Sequence, residues 1–347
     1  MNGRMVWLNR FDYRDGDKEL VRNMIHSSNQ EYFKYSDSIT DSRALIFLSV
    51  RSWRDLSCLL NLSPLKVEQI INNPSYVEFK IPKKKGKPRL ICQPNPELMK
   101  IQRRLNSFLQ AVYDFHIPSC VHGFVPKSNK VCRSIVSNAK SHLGKKNFLT
   151  IDLQDFFTSI RAKRVKKLFQ SWGMEQEVSI ALTLLCTFKG SLPMGAPTSP
   201  ILANLCSYDL DLDLNYFCEK NQITYTRYAD DLTFSSNDKI LDDQINSLIQ
   251  IIEKQGFLIN KKKTRRISSH RKQKITGIIV NEKLSVERKL KKKLRAINHD
   301  ILLNGLAKAT ERHFNLTENA NEINQKHFAD KINGLNSFVK LVENQRE

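Results

Sequence analysis

Two adjacent carboxylates, Asp230 and Asp231, stand in the middle of Ile223-Thr-Tyr-Thr-Arg-Tyr-Ala-Asp-Asp-Leu-Thr-Phe-Ser235. The residues around them are β-branched, aromatic or alternately apolar, which predicts two short strands joined by a tight hairpin turn. Asp tolerates the positive φ of such a turn, so the acids themselves are expected to make it. Side by side, two like charges repel, and a hard, oxygen-preferring divalent cation relieves the repulsion. An exposed Asp-Asp turn without chemistry is the plain alternative. A third carboxylate changes the balance. Phe148-Leu-Thr-Ile-Asp-Leu153 reads as a largely buried strand with one acid, Asp152, near its end. A buried, unpaired carboxylate is costly, so Asp152 needs a partner or a metal. An acid at a strand end beside a hairpin bearing two more is a ligand set for two-metal phosphoryl transfer.

The elements that must hold these acids are legible on either side. Over residues 46–71 the apolar spacing is helical, with Ser63-Pro64 starting a fresh turn. Phe79-Lys-Ile-Pro-Lys-Lys-Lys-Gly-Lys-Pro-Arg-Leu-Ile-Cys92 sets a basic turn between two short apolar strands, a form that presents cations to phosphate. Asn95-Pro96-Glu97 starts a helix whose buried face is Leu98, Ile101, Leu105, Phe108 and Val112. Val165, Leu168, Phe169 and Trp172 make another apolar face, and Gly173 ends that helix. Residues 191–197 form a Gly- and Pro-containing loop that lets backbone approach a partner closely, and Ser199-Pro200 caps the next helix. Residues 240–252 are amphipathic, and Lys274-Ile-Thr-Gly-Ile-Ile-Val280 reads as one short strand. Ser285 begins a helix with Leu290, Leu294, Ile297 and Ile301 inward, and residues 311–347 read as helical.

A chain of 347 residues is long enough for two or three subdomains. Its 56 Lys and Arg against 35 Asp and Glu leave a charge of +21, which points to nucleic acid ahead of an anionic membrane. No apolar run approaches the ~18 residues that span a bilayer, and the opening residues lack the form of a secretory signal. A cytoplasmic protein with no membrane partner is expected. The seven cysteines are scattered with no Cys-x-x-Cys pair, so they are expected to be reduced and mostly buried. Charge is uneven along the chain. Residues 261–295 carry fifteen Lys or Arg and two Glu, too one-sided for a merely solvated face, and nucleic-acid contact is the stronger expectation.

Tyr228-Ala-Asp-Asp231 resembles the signature of reverse transcriptases, and Asp152-Leu-Gln-Asp-Phe-Phe157 resembles their first catalytic motif. Leu192-Pro-Met-Gly-Ala-Pro-Thr-Ser-Pro200 resembles the motif between the two, and Gly256-Phe-Leu-Ile-Asn260 with Lys263-Thr264 resembles the motif that follows. Within that family the chain resembles bacterial retron enzymes. Asn138, Ala139 and His142 match their Asn-Ala-x-x-His element, and Ile275-Thr-Gly277 stands in place of their Val-Thr-Gly. Bottom-up, an Asn and a His four apart read instead as a pair on one helix face.

The resemblance, strong over about residues 75–285, implies an α+β right-hand polymerase fold of fingers, palm and thumb, with an antiparallel palm sheet backed by helices. Residues 1–40 would be an N-terminal lead-in, 41–145 and 162–190 fingers, 146–161 and 191–280 palm, and 281–347 a thumb and RNA-binding region. The implied activity is that of an RNA-directed DNA polymerase using two Mg2+ ions, with Mn2+ a substitute. One ion, on Asp152 and Asp230, would lower the pKa of the primer hydroxyl, and the other would bind the triphosphate. Asp231, the third acid of the metal site, would adjust the hairpin and local charge more than bind directly. Lys87 and Arg89 fall on the hairpin that closes over the triphosphate.

Phe157 would be the aromatic gate under the sugar, leaving no room for a 2′-hydroxyl, with the adjacent Phe156 as the alternative by strand alternation. Met194 and Gly195 would lie against the incoming nucleotide, although many reverse transcriptases carry Gln where Met194 stands. Lys263 would give a proton to the departing diphosphate, or form a basic patch with Lys261 and Lys262. Asn138, His142, Ile275, Thr276 and Gly277 would join Lys289, Lys292 and Lys293 in binding RNA. The implied partners are a cognate structured non-coding RNA, its branched RNA–DNA product, dNTPs, and a toxin or effector protein in antiphage defence. One rival is a group II intron or diversity-generating reverse transcriptase, against which the retron elements and the lack of a maturase or endonuclease segment weigh. Another is an RNA- or toxin-binding scaffold with residual polymerase activity, against which the intact acid triad weighs.

Overall fold

A helical layer precedes the first strands. The computed structural model describes residues 39–82, 88–127, 132–268, 270–314 and 320–344, so Lys87 and nearly all of the lead-in over 1–40 lie outside the described residues. Helices α1 (Ile39–Leu48), α2 (Trp53–Leu60) and α3 (Pro64–Asn72) lead into a hairpin of β1 (Tyr76–Ile81) and β2 (Arg89–Pro94). Local chemistry sets the starts. Ser52 and Asp55 form a capping box on α2, Ser63 with Pro64 opens α3, and Asn95 Oδ1 accepts the Leu98 amide at 2.8 Å to open α4 (Pro96–Asp114). The expected face of α4, from Leu98 to Val112, is buried.

The chain then runs through α5 (Ile135–Lys140), β3 (Asn147–Asp152) and the short α6 (Phe156–Ser159). Next come α7 (Ala162–Ser171), α8 (Gln176–Cys186), α9 (Ser199–Cys206) and α10 (Tyr208–Lys220). Strands β4 (Thr224–Tyr228) and β5 (Asp231–Ser236), helix α11 (Asp242–Lys254) and β6 (Arg265–Ser268) complete the central sheet, whose order is β4-β5-β3-β6 and whose pairings are all antiparallel. Helices and sheet share one core running from Ala44 to Phe257. The fold is mixed α+β, with antiparallel sheets backed by helices.

Two expected strands are otherwise. Phe156 and Phe157 open a helical turn after Asp155 (φ +49), so strand alternation does not separate them. Lys274-Ile-Thr-Gly-Ile-Ile-Val280 is a hairpin, not one strand: β7 (Lys274–Ile275) and β8 (Ile278–Ile279) pair across Thr276 and Gly277, both at positive φ. Such a pair of left-handed residues matches the right-handed twist of a two-residue hairpin.

The long helix α12 (Arg288–Phe314) starts at Arg288 rather than Ser285, breaks at Gly305, and packs on α13 (Glu322–Glu343) through Leu294, Ile297, Ala309, Phe328 and Ile332. A separate core joins α5 to the β7–β8 hairpin and the end of α13: Val136, Ala139, Phe148, Ile275, Ile278, Val280 and Val342. Five of the seven cysteines are buried, whereas Cys132 is exposed. Among the described residues no helix is long and apolar enough to cross a membrane.

Candidate active site

Register brings the acids together. Asp152 pairs with Asp231 across β3 and β5, and Asp231 pairs with Tyr228 across β5 and β4, leaving Ala229 and Asp230 as the turn. The positive φ falls on Ala229 (+59) and not on either acid. A side chain in that region costs roughly 1–2 kcal/mol, so surrounding structure must enforce it. The Leu153 amide donates to the Asp230 carbonyl at 2.9 Å, which ties the turn to the end of β3. Beyond α11, Asn260 lies alongside: its amide donates to the Asp152 carbonyl at 2.8 Å and its Nδ2 to Asp152 Oδ2 at 3.2 Å. Lys263 Nζ donates to Asp152 Oδ1 at 2.6 Å.

This negative field is only partly balanced. Burial and the charge of Asp152 raise the Asp230 pKa, against the pull of Lys263 and Arg89. Partial withdrawal from water, then the charges of Asp230 and Asp152, push Asp231 up to about 6. The bond to Asp152 raises Lys263, which keeps the ammonium charged and makes it a poor proton donor while that bond lasts. Among the described residues no three Asp, Glu, His or Cys side chains form a group that could enclose a metal ion by themselves. Mg2+ needs no such cage, since it binds through one or two carboxylates and keeps water and substrate phosphate as further ligands. Asp230 and Asp231, raised first by burial and then by neighbouring like charge, fit a hard cation in that mode.

The side of the acids that faces Arg89 is built from β2 and the loop after α8. Arg89 is exposed at the head of β2, near enough for its charge to be felt by Asp230. The Cys92 amide donates to the Met194 carbonyl at 2.8 Å, which ties β2 to this loop. Gly195 stands at φ +118, where a Cβ would lie 2.8 Å from Ile91 Cγ2 and 3.0 Å from the Cys92 carbonyl oxygen. Only glycine meets both demands. Phe157 is half-buried, whereas Phe156 is buried and packs on Phe257 with ring centroids 5.8 Å apart. Phe157 is therefore the one of the two with surface to offer a ligand.

Three residues expected to touch RNA do not reach the surface. His142 is wholly buried, its ring nitrogens 2.7 Å from Ser235 Oγ and 2.7 Å from Thr226 Oγ1. Burial holds its pKa down to about 3, so it is neutral and pins α5 to β4 and β5. Asn138 and Ile275 are buried too, and His142 lies past the end of α5 instead of sharing a helix face with Asn138. The two retron-like elements meet each other: Ala139 packs with Ile275, and Thr276 Oγ1 donates to the Ile135 carbonyl at 3.1 Å. Thr276 and Gly277 are partly exposed at their turn, and Lys289, Lys292 and Lys293 are exposed on α12.

Sequence reasoning missed what lies behind the turn. Arg227, wholly buried, donates from Nε and Nη2 to the Asp211 carboxylate at 2.7 and 2.6 Å, and from Nη1 to Asn204 Oδ1 at 3.0 Å and the Ala229 carbonyl at 3.2 Å. Asp211 shares the inward register of α10 with Leu214 and Cys218, a visible signal that a buried cation was waiting for it. Gly123 packs against the same turn, with a built Cβ 2.5 Å from the Ala229 nitrogen.

A family model described as reverse transcriptase (RNA-dependent DNA polymerase) matches residues 81–280. The retron Mx65 reverse transcriptase of Myxococcus xanthus is 35% identical over 243 residues, covering 65% of this chain and 55% of that one. The retron Ec86 reverse transcriptase of Escherichia coli is 40% identical over 171 residues, covering 49% and 53%. The chain thus spans about half the length of these curated relatives. Among solved structures, a Candida albicans telomerase bound to a telomeric RNA fragment is 13% identical with a TM-score of 0.45, covering 68% of this chain and 52% of that one.

Proposed function

Because the chain belongs to the reverse transcriptase family, we propose that it is the RNA-directed DNA polymerase of a retron, copying part of a dedicated structured RNA into RNA-linked DNA. The observation that carries this reading is the sheet register, which sets Asp152 opposite Asp231 and beside Asp230. In this reading Asp152 and Asp230 hold Mg2+, with Asp231 shaping the field around them. When bound, the cations supply a more acidic primer hydroxyl and neutralise the leaving diphosphate. The residues of the chain do the positioning. Arg89 offers its guanidinium to the triphosphate, Met194 and Gly195 bring backbone and thioether against the base pair, and Phe157 closes the space beside the sugar 2′-carbon. Lys263 pairs with Asp152 in the free chain, and its ammonium would be released toward the departing diphosphate once Asp152 holds a metal.

Fingers over 41–145 and 162–190, palm over 146–161 and 191–280 and thumb over 281–347 describe this molecule best with one amendment: residues 135–145 belong with the palm they pack against. The exposed lysines of α12 take RNA phosphates, a contact that weakens with salt and carries no sequence information by itself. A toxin or effector protein in antiphage defence is the further partner. Sequencing nucleic acid that copurifies with the protein tests the assignment. A short RNA joined to DNA through a 2′-branch is expected, and linear cellular RNA alone would overturn it.

Sugar choice gives a second test. Phe157→Ala is expected to raise the ratio of ribo- to deoxynucleotide incorporation by about tenfold or more, since it opens the volume a 2′-hydroxyl needs. Phe156→Ala should leave the ratio alone and lower stability by about 3–5 kcal/mol, as a buried core ring does. A ratio that moves only in the Phe156 variant would reassign the gate.

A further inference from the structure

Ala229 (φ +59) and Phe124 (φ +57) are non-glycine residues in left-handed backbone near the acid turn. One buried network holds both. Asn204, on α9, donates its amide hydrogens to the carbonyls of Gly123 at 2.9 Å and Phe124 at 3.2 Å, while its Oδ1 accepts from Arg227. Arg227 in turn reaches the Ala229 carbonyl, and Asp211, which also accepts from the Tyr225 hydroxyl at 3.0 Å, fixes the guanidinium in both directions. Asn204, Arg227 and Asp211 are all within about 1% of complete burial, so water does not compete for these bonds. The carbonyl of Phe124 is thereby held while the residue is left 39% exposed, with its ring centroid 5.9 Å from that of Phe157. On the other side Phe157 leans on Phe156 at 5.7 Å.

We propose that Phe124 is a specificity-determining residue of the nucleotide site, and that Asn204 and Arg227 are positioning residues that aim it. Phe124 forms the second wall of an aromatic slot and fixes how far the Phe157 ring can tilt. A strained, exposed aromatic held by buried polar bonds is otherwise an expense with no return. The inference rests on the polymerase reading above. It adds that discrimination against the 2′-hydroxyl is a property of the pair of rings, not of Phe157 alone.

The test uses Asn204→Asp and Phe124→Leu in the full-length protein, with primer extension from ribo- and deoxynucleotides. Asn204→Asp keeps the acceptor for Arg227 and loses the donors to Gly123 and Phe124. Phe124→Leu trims an exposed ring and leaves the core alone. Each variant is expected to raise relative ribonucleotide use by about tenfold, through the ratio of kcat/KM values. The double variant should exceed neither, because both act through one ring. Equal falls for both nucleotide classes, with the ratio unchanged, would overturn the proposal and leave the network structural. Wild-type protein that extends no primer would overturn the polymerase reading and this inference with it.

Discussion

Asp230→Asn lowers nucleotide incorporation by about 10³-fold or more and leaves RNA binding close to normal, as measured by single-turnover primer extension and by filter binding at fixed salt. The replacement keeps the shape of the turn and its backbone bond from Leu153. It removes a charge that the fold itself disfavours, since burial and Asp152 hold the Asp230 pKa above that of a free carboxylate. Above that raised pKa the ionised form costs stability, so the neutral amide should unfold at the same temperature or a higher one. Loss of activity with gain of stability is the signature of a site built for a ligand. An Asp230→Asn enzyme that extends primers at a near-normal rate would sink the assignment. An inactive variant that is also markedly less stable would put Asp230 in a structural role.

Gly123→Ala should cost about 10²-fold in kcat while nucleotide KM and RNA affinity change little. The added methyl would sit 2.5 Å from the Ala229 nitrogen and 3.0 Å from the Tyr228 carbonyl carbon, both backbone atoms with no rotamer to yield. Either the His122–Phe124 segment backs away or the turn carrying Asp230 moves. The segment is held by Asn204 and by the His122 amide, which donates to the Arg227 carbonyl at 2.9 Å, so much of the strain reaches the turn. A displacement of even ~1 Å at reacting groups is worth about that loss in rate. Gly334→Ala, in α13 with open space around it, is the control and should be silent. Wild-type turnover in Gly123→Ala would mean that the segment, not the turn, is the softer side.

What could be read from the sequence was local. The apolar run of β3, the alternation around Asp230 and Asp231, and the Asn95-Pro96 helix start each depend on neighbours a few positions apart. What could not be read depends on partners brought close by folding. Arg227 is satisfied by Asp211 and Asn204, 16 and 23 positions away on two different helices. Nothing in its own surroundings reveals a buried arginine. The positive φ was expected on an acid because Asp tolerates it best, yet it falls on Ala229, where tertiary bonds override intrinsic preference. Asn138 and His142 carry polar types that suggest a surface. Inside, each hydroxyl that meets His142 belongs to a strand whose pairing periodicity alone did not place. Thr276-Gly277 lacks the Asn-Gly signal that would have announced a hairpin.

The core that unites Val136, Phe148, Ile278 and Val342 has a consequence for synthesis. Its first and last members lie about two hundred residues apart, whereas the core beneath the acids is complete by Phe257. A ribosome adds about 5–20 residues per second, so roughly 10–40 s separate the emergence of the two sides of that outer core. In the last part of that interval, once Phe257 has emerged, the acids can already be assembled while Val342 has yet to close the outer core over β3 and α5. The joint that mounts the basic helix closes last. The surface proposed above to take RNA is then the last part to be set in place, after the acids proposed to do the copying.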